Sequence, residues 1–270
     1  MLSQQVENIT QQIITIADEE VIPRFEQTSI DYKHDGSIVT ETDIAVQNRL
    51  QTFLSKLTPD IPFLGEEMPD EQQKQLIASS PSGLWCLDPL DGTSNYASGL
   101  PFFAISLALL QNSKPIFGLV YDPMRRECFM AEKGKGAWLN NQPLACRDDE
   151  RPLAKCIAVI DFKRLSPTMC QHLTEQPPYA SQRSLGSVAL DWCWLAANRY
   201  HVYLHGRQKA WDYSAGQLIL EEAGGYSSTL TGQAVSDGSL APQSALASNS
   251  NRLYKEWYEV LSAINLDANT

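Results

Sequence analysis

The sequence predicts an α/β fold in which amphipathic helices flank a run of antiparallel strands. Three observations carry that prediction. Apolar residues recur at helical spacing near the N-terminus, β-prone segments separated by turn formers fill the middle, and helical spacing returns in the final third. Of the 270 residues, 43% are hydrophobic and 20% charged, the profile of an ordinary globular chain with enough apolar material for a substantial core. One large fold and two packed halves both fit that length.

Val6, Ile9, Ile13, Ile16, Ala17 and Val21 fall on one face of a helix over residues 6–21, and Pro23 marks its end. Asp35 and Gly36 form a turn before a short β-prone stretch over residues 37–40. Val46, Leu50, Phe53, Leu54 and Leu57 repeat the helical pattern, with Thr42 or Asp43 placed to cap its start and Pro59 to close it. Strands over residues 84–87, 102–110, 115–121 and 127–131 form a meander, turned at Asn112-Ser113 and Asp122-Pro123. The charged run over residues 147–151 divides the chain into halves, 1–147 and 148–270. Beyond it come a β-prone stretch over 156–160, helices over 167–174 and 187–197, and a strand over 201–205. A last helix over 213–223 has Asp212 as its N-cap and Gly224-Gly225 at its end.

The 32 acidic residues outnumber 21 basic ones for a net charge of -11, which repels nucleic acid and anionic membrane surfaces. No apolar run approaches the length that spans a bilayer, and the N-terminal residues carry no basic and apolar leader. Six cysteines without a CxxC pair indicate neither a zinc site nor a disulfide framework, so a reduced, cytoplasmic setting is expected. The acidity also constrains chemistry on phosphate. An acidic pocket repels a phosphate anion unless divalent cations reverse the local sign.

Such a pocket is suggested by residues 85–96, where Asp88 and Asp91 stand three apart just beyond an apolar strand. The two carboxylates could share a hard cation, Pro89 stiffens the turn between them, and the amides of Gly92, Thr93 and Ser94 could face a phosphate from a helix N-terminus. Asp-Pro or Asp-Gly alone is an ordinary turn former. The stretch from Asp88 to Gly99 lacks the alternating oxygen ligands of an EF-hand loop. Its Asp-x-x-Asp-Gly-Thr spacing also differs from the Asp-x-Asp-Gly-Thr of haloacid-dehalogenase-like phosphatases, whose first aspartate is the nucleophile. A metal site with water as nucleophile is the reading that remains. His34, His172, His201 and His205 lack metal-ligand spacing, and Trp192, Trp194 and Tyr200 read as core or subunit interface.

The run Asp88-Pro89-Leu90-Asp91-Gly92-Thr93 resembles the signature of the inositol monophosphatase family, and Trp211-Asp212-Tyr213-Ser214-Ala215-Gly216 resembles its second signature. Gly65-Glu66-Glu67 and the stretch from Asp35 to Asp43 match further parts of the pattern, in order, so the resemblance covers nearly the whole chain. It implies the layered αβαβα sandwich of the inositol monophosphatase and fructose-1,6-bisphosphatase fold. It also implies a Mg²⁺-dependent, Li⁺-sensitive phosphomonoesterase, homodimeric, acting on a small phosphorylated metabolite. Inositol monophosphate is the leading substrate, and 3'-phosphoadenosine 5'-phosphate, a sugar bisphosphate and histidinol phosphate are the alternatives. By the same resemblance Glu66, Asp88, the Leu90 carbonyl, Asp91 and Asp212 hold the metal, while Thr93 and Asp43 relay a proton from the attacking water. Asp91, Gly92, Thr93, Gly186, Ser187 and His205 contact the substrate, and Lys33 pairs with Glu67. A noncatalytic Mg²⁺ or phosphate-binding module is the alternative from another class, and the presence of every ligand and of Thr93 argues against it.

One position departs from the pattern. Inositol-specific relatives place a glutamate seven residues before the aspartate of the second signature, where this chain has His205. A neutral imidazole offers one donor and one acceptor, whereas a carboxylate only accepts. The expectation is weaker polyol recognition, broader specificity, and accommodation of a second phosphate by a protonated His205.

Overall fold

The structure is a computed structural model that describes residues 3–25, 30–32, 38–79, 82–147, 150–236 and 241–267. Lys33 and the Asp35-Gly36 turn lie outside them. The chain opens with α1 (Ser3–Ile16), passes through a π turn and a 3₁₀ turn, and forms a ribbon of β1 (Ile30–Tyr32) and β2 (Ile38–Thr40) before α2 (Glu41–Leu57). Next come β3 (Phe63–Gly65), α3 (Asp70–Ser79), β4 (Leu84–Asp91) and the short α4 (Thr93–Ala97). A meander follows through β5 (Ala104–Gln111), β6 (Lys114–Asp122), β7 (Glu127–Glu132), β8 (Gly136–Leu139) and β9 (Gln142–Leu144). Strands β3 to β9 form one sheet in chain order, with β3 parallel to β4 and every later pair antiparallel.

The remaining elements are β10 (Ile157–Asp161), α5 (Pro167–Glu175), β11 (Ser181–Arg183), α6 (Val188–Ala196), β12 (Val202–Gln208), α7 (Ala210–Glu222), β13 (Tyr226–Ser228), β14 (Gln243–Ser248) and α8 (Asn251–Asp267). Their strands form a second sheet in the order β11-β10-β12-β14-β13, parallel from β11 through β12 and antiparallel beyond.

Strand alternation distributes the core among the layers. On β4, Trp85 and Leu87 join Ile9, Ile13 and Ile16 of α1 and Val46 and Leu50 of α2 on one face of the first sheet. Leu84 and Cys86 face the other way, with Trp192 and Cys193 of α6, Leu218 and Ile219 of α7, and Tyr203 and Ala247 of the second sheet. Val202 and Leu204 turn to the far side of that sheet and pack with Met169 of α5 and Leu253 and Trp257 of α8. The layers therefore run helix, sheet, helix, sheet, helix, as the expected αβαβα sandwich does.

The central layer is tight. A Cβ built at Gly118 of β6 would stand 2.8 Å from the backbone oxygen of Ala215 and 2.9 Å from its Cα, so the missing side chain lets α7 lie directly on the first sheet. Gly118→Val is expected to reduce unfolding free energy by about 1–3 kcal/mol through overpacking. Urea denaturation measures this, and an unchanged midpoint would show that the two elements separate freely.

Local chemistry explains where helices start. The N-cap of α2 is Thr40 rather than Thr42 or Asp43, and Asp43 sits at the third helical position, where its Oδ2 accepts from the Thr40 N–H at 2.8 Å. The start of α7 repeats the arrangement: Lys209 is the N-cap, and Asp212 at the third position accepts the Lys209 N–H at 2.7 Å. Asp212 is thus not the N-cap. In both cases a carboxylate in the first turn satisfies an orphan amide at the positive end of a helix.

Candidate active site

The centre of the site is an irregularity in β4. Asp88 pairs with Ser106 and Asp91 with Ala104, so β4 advances three residues where β5 advances two. The extra residue is a β-bulge. Pro89, which has no N–H to contribute to the ladder, is tolerated there. The bulge keeps Asp88 and Asp91 within the strand, both buried, rather than just beyond it. It also turns the Leu90 peptide inward on the segment: its N–H donates to Asp88 Oδ1 at 3.0 Å and its carbonyl accepts from Thr93 Oγ1 at 3.0 Å.

Gly92 follows at φ +95, a left-handed conformation that strains any other residue. This turn opens α4 at Thr93. The first-turn amides of α4, among them those of Thr93 and Ser94, have no intrahelical acceptor. Asn95 donates to the Phe102 carbonyl at 2.7 Å and ties α4 to the second half of the chain by donating to the Leu185 carbonyl at 2.8 Å.

Two helix starts bring further carboxylates. Asp43 is held through Oδ2 by Thr40, whose Oγ1 donates at 2.6 Å, and its Oδ1 accepts from Thr93 Oγ1 at 3.3 Å. Asp212 comes from the first turn of α7, which Ser106 anchors by donating to the Trp211 carbonyl at 3.2 Å. Glu66 follows β3 and is fixed by its own N–H donating to the Leu87 carbonyl at 3.1 Å. Gln47 and Gln73, which the sequence reading did not single out, secure the loop: Gln47 Oε1 accepts from the Glu67 N–H at 3.0 Å, and Gln73 Nε2 donates to the Glu66 carbonyl at 3.0 Å.

The electrostatics are those of crowded, dehydrated anions. Burial pushes the Asp43 carboxyl up to about 7 against the hydrogen bonds from Thr40. Burial also raises Asp91 to about 6, although Ser187 Oγ donates to its Oδ2 at 2.5 Å and the Ala189 N–H at 2.6 Å. Asp88 and Asp212 are pushed well above the ordinary carboxylate value, first by burial and then by repulsion from Glu66 and Asp91. Lys209 opposes this at Asp212, but its Nζ rests over the Trp211 ring, 5.0 Å from the centroid.

Among the described residues, no three of these carboxylates converge closely enough to ligate an ion as they stand. Asp43, Asp88, Asp91 and Asp212 each turn an oxygen toward donors of the protein instead. The donor set nevertheless fits Mg²⁺. Every candidate atom is a hard oxygen, and a divalent cation reverses the repulsion that raises Asp88 and Asp212.

Beside the carboxylates lies a cavity of about 360 Å³ whose wall includes Asp212, Gly186, Ser187 and His205. Gly186 has φ +84, and Ser187 caps α6 while donating to Asp91, so both substrate candidates sit against the metal candidates. The donor and acceptor that His205 offers are engaged within the protein. Its ring is buried, Nε2 bonds to Asp161 Oδ2 at 3.0 Å, and Nδ1 accepts the Arg207 N–H at 3.1 Å. These partners use both nitrogens. Asp161, Lys163, Arg164 and Arg207, absent from the sequence reading, also line the cavity.

Comparison with known proteins supplies the family and the fold. The model of the inositol monophosphatase family matches residues 2–265. A relative named Nus factor SuhB, from Pasteurella multocida, is 36% identical over 72% of this chain and 72% of its own. An inositol monophosphatase of Mesembryanthemum crystallinum is 33% identical over 73% of this chain and 74% of its own. A Thermotoga maritima IMPase superposes with a TM-score of 0.84 at 24% identity, covering 98% and 99% of the two chains, and shares the fold. An IMPase/NADP phosphatase complexed with Mg²⁺ and phosphate has a TM-score of 0.79 at 25% identity, over 93% and 94%.

Proposed function

This chain belongs to the inositol monophosphatase family, and we propose that it hydrolyses a small phosphorylated metabolite using Mg²⁺ held by Glu66, Asp88, the Leu90 carbonyl, Asp91 and Asp212. It is a phosphomonoesterase, and the leading substrate is inositol monophosphate. The observation that carries the reading is the β4 bulge, which gathers Asp88, Leu90 and Asp91 beside a hydroxyl that reaches Asp43. Bound there, Mg²⁺ neutralises phosphate charge and acidifies a water.

The chain's own residues do the rest. Thr93 Oγ1 accepts a proton from the attacking water while passing its own to Asp43 Oδ1, the oxygen that Thr40 leaves open. As the water oxygen bonds to phosphorus, the phosphorus–oxygen bond to the leaving group breaks; the leaving alkoxide takes a proton from solvent, and Asp43 returns to solvent the one it received. Gly186 and Ser187 flank the leaving group from the start of α6. The same reading places the enzyme in the cytoplasm as a Li⁺-sensitive homodimer.

Phosphate release should be measured on inositol monophosphate, 3'-phosphoadenosine 5'-phosphate, fructose 1,6-bisphosphate and histidinol phosphate, with Mg²⁺ and with chelator. Release that depends on Mg²⁺ is expected, and release unaffected by chelation would overturn the reading. Metal should also stabilise the fold, by about 2.7 kcal/mol at a concentration near 100 Kd. A thermal midpoint indifferent to Mg²⁺ would count against the ligand set.

A further inference from the structure

The cavity beside the carboxylates is also lined by three basic residues, Lys163, Arg164 and Arg207. Asp161 at the end of β10 pairs in parallel register with His205 of β12. Lys163 and Arg207 each stand two residues past that pair, at neighbouring carboxyl ends of parallel strands, where α/β folds bind ligands. Arg164 joins them through a close approach. A Cβ at Gly206 would fall 1.8 Å from the Arg164 carbonyl oxygen, so the bare glycine lets the turn after β10 (Phe162–Arg164) press onto β12.

The charges of this wall are compensated only in part: Arg164 attracts the Asp161 carboxylate. Lys163, Arg164 and Arg207 are exposed, and among the described residues none of their side chains makes a hydrogen bond or ion pair. Asp161 is shared: its Oδ2 bonds His205 and its Oδ1 accepts the Lys163 N–H at 2.9 Å, so no side-chain bond ties it to these cations. Asp191, also on the wall, is buried, and burial pushes its carboxyl well above the ordinary range, which favours its neutral form. Three cations without a side-chain bond on one cavity are unexpected in a chain of net charge -11.

We propose that Lys163, Arg164 and Arg207 bind a second anionic group on the substrate, a phosphate or a carboxylate, while the first phosphate lies at the acidic cluster. The proposal rests on the phosphatase reading, and it shifts the preferred substrate from a singly phosphorylated polyol to a doubly anionic phosphate ester. Asp212 of the acidic cluster and Arg207 line the same cavity.

Matched substrate pairs test it. Fructose 1,6-bisphosphate against fructose 1-phosphate reads a second phosphate, and 2-phosphoglycerate against glycerol 2-phosphate reads a carboxylate. In at least one pair the doubly anionic member should have a kcat/KM about tenfold higher or more, since hydrogen bonds to charged groups are among the stronger ones. Arg207→Gln and Lys163→Gln should each erase most of that preference through KM, leaving the singly anionic member unchanged, and Arg207→Lys should retain part of it. Equal kcat/KM within both pairs, or a loss shared by both members, overturns the proposal. If no compound is hydrolysed in Mg²⁺, it is the phosphatase reading that fails, and calorimetric binding of 2-phosphoglycerate and glycerol 2-phosphate to wild type and Arg207→Gln still decides the matter. Equal affinities there overturn the anion site.

Discussion

Asp88→Asn is expected to lower kcat/KM by about a thousandfold, the several kcal/mol of transition-state charge stabilisation that a well-placed metal supplies. The substitution is nearly isosteric, and an amide oxygen can still accept the Leu90 N–H now bonded to Asp88 Oδ1 at 3.0 Å. The bulge therefore survives. What disappears is one negative charge at a position only 2% exposed, among neighbours that repel it. In chelator the variant should melt at the parent temperature or above it, because a buried anion without a counter-charge has been removed. Calorimetry should register weaker Mg²⁺ binding. Undiminished turnover at subsaturating Mg²⁺ would remove Asp88 from the ligand set.

Thr93→Ala separates proton transfer from metal binding. The hydroxyl touches the Leu90 carbonyl at 3.0 Å and Asp43 Oδ1 at 3.3 Å, and its own side chain is not among the proposed ligands. Loss of a positioned proton-transfer group reduces rates by about 10²–10⁴-fold, so kcat should fall by about a hundredfold at least, with Mg²⁺ affinity and KM little changed. Thr93→Ser should recover much of the rate. A raised KM with unchanged kcat would instead assign Thr93 to phosphate binding.

Much of the acidic cluster was legible because Asp88, Leu90, Asp91 and Thr93 lie in one short run whose chemistry depends on local spacing. Asp43 and Asp212 were legible as candidates but not as to helix position. Asp is favoured both at an N-cap and in the first turn, and only the backbone shows that each is third in its helix. The cationic wall could not be read in this way, because Lys163 and Arg207 meet only through the parallel register of β10 with β12.

Fold elements follow the same division. The Asn112-Ser113 turn, with φ of 50 and 58, matches a two-residue hairpin that its residue types announce. Strand β14, Gln-Ser-Ala-Leu-Ala-Ser, is built of small residues with little strand signal and owes its place to β12 and β13 on either side. Helix α8 was legible and overlooked: Leu253, Trp257, Leu261 and Ile264 recur at helical spacing and are all buried.

The position of α6 and α7 between the sheets also sets a timetable. The last strand of the first sheet ends at Leu144, but the helices that cover its second face end at Ala196 and Glu222. During synthesis at ordinary elongation rates, roughly eighty residues separate sheet from cover, so Cys86, Val120 and Phe129 wait about 4 to 16 s for their packing partners. A nascent chain in that interval presents an apolar surface to the cell, and one stalled before α7 lacks Asp212 as well. The step that hides the surface is therefore also the step that completes the acidic cluster, so an unfinished chain is both sticky and inactive.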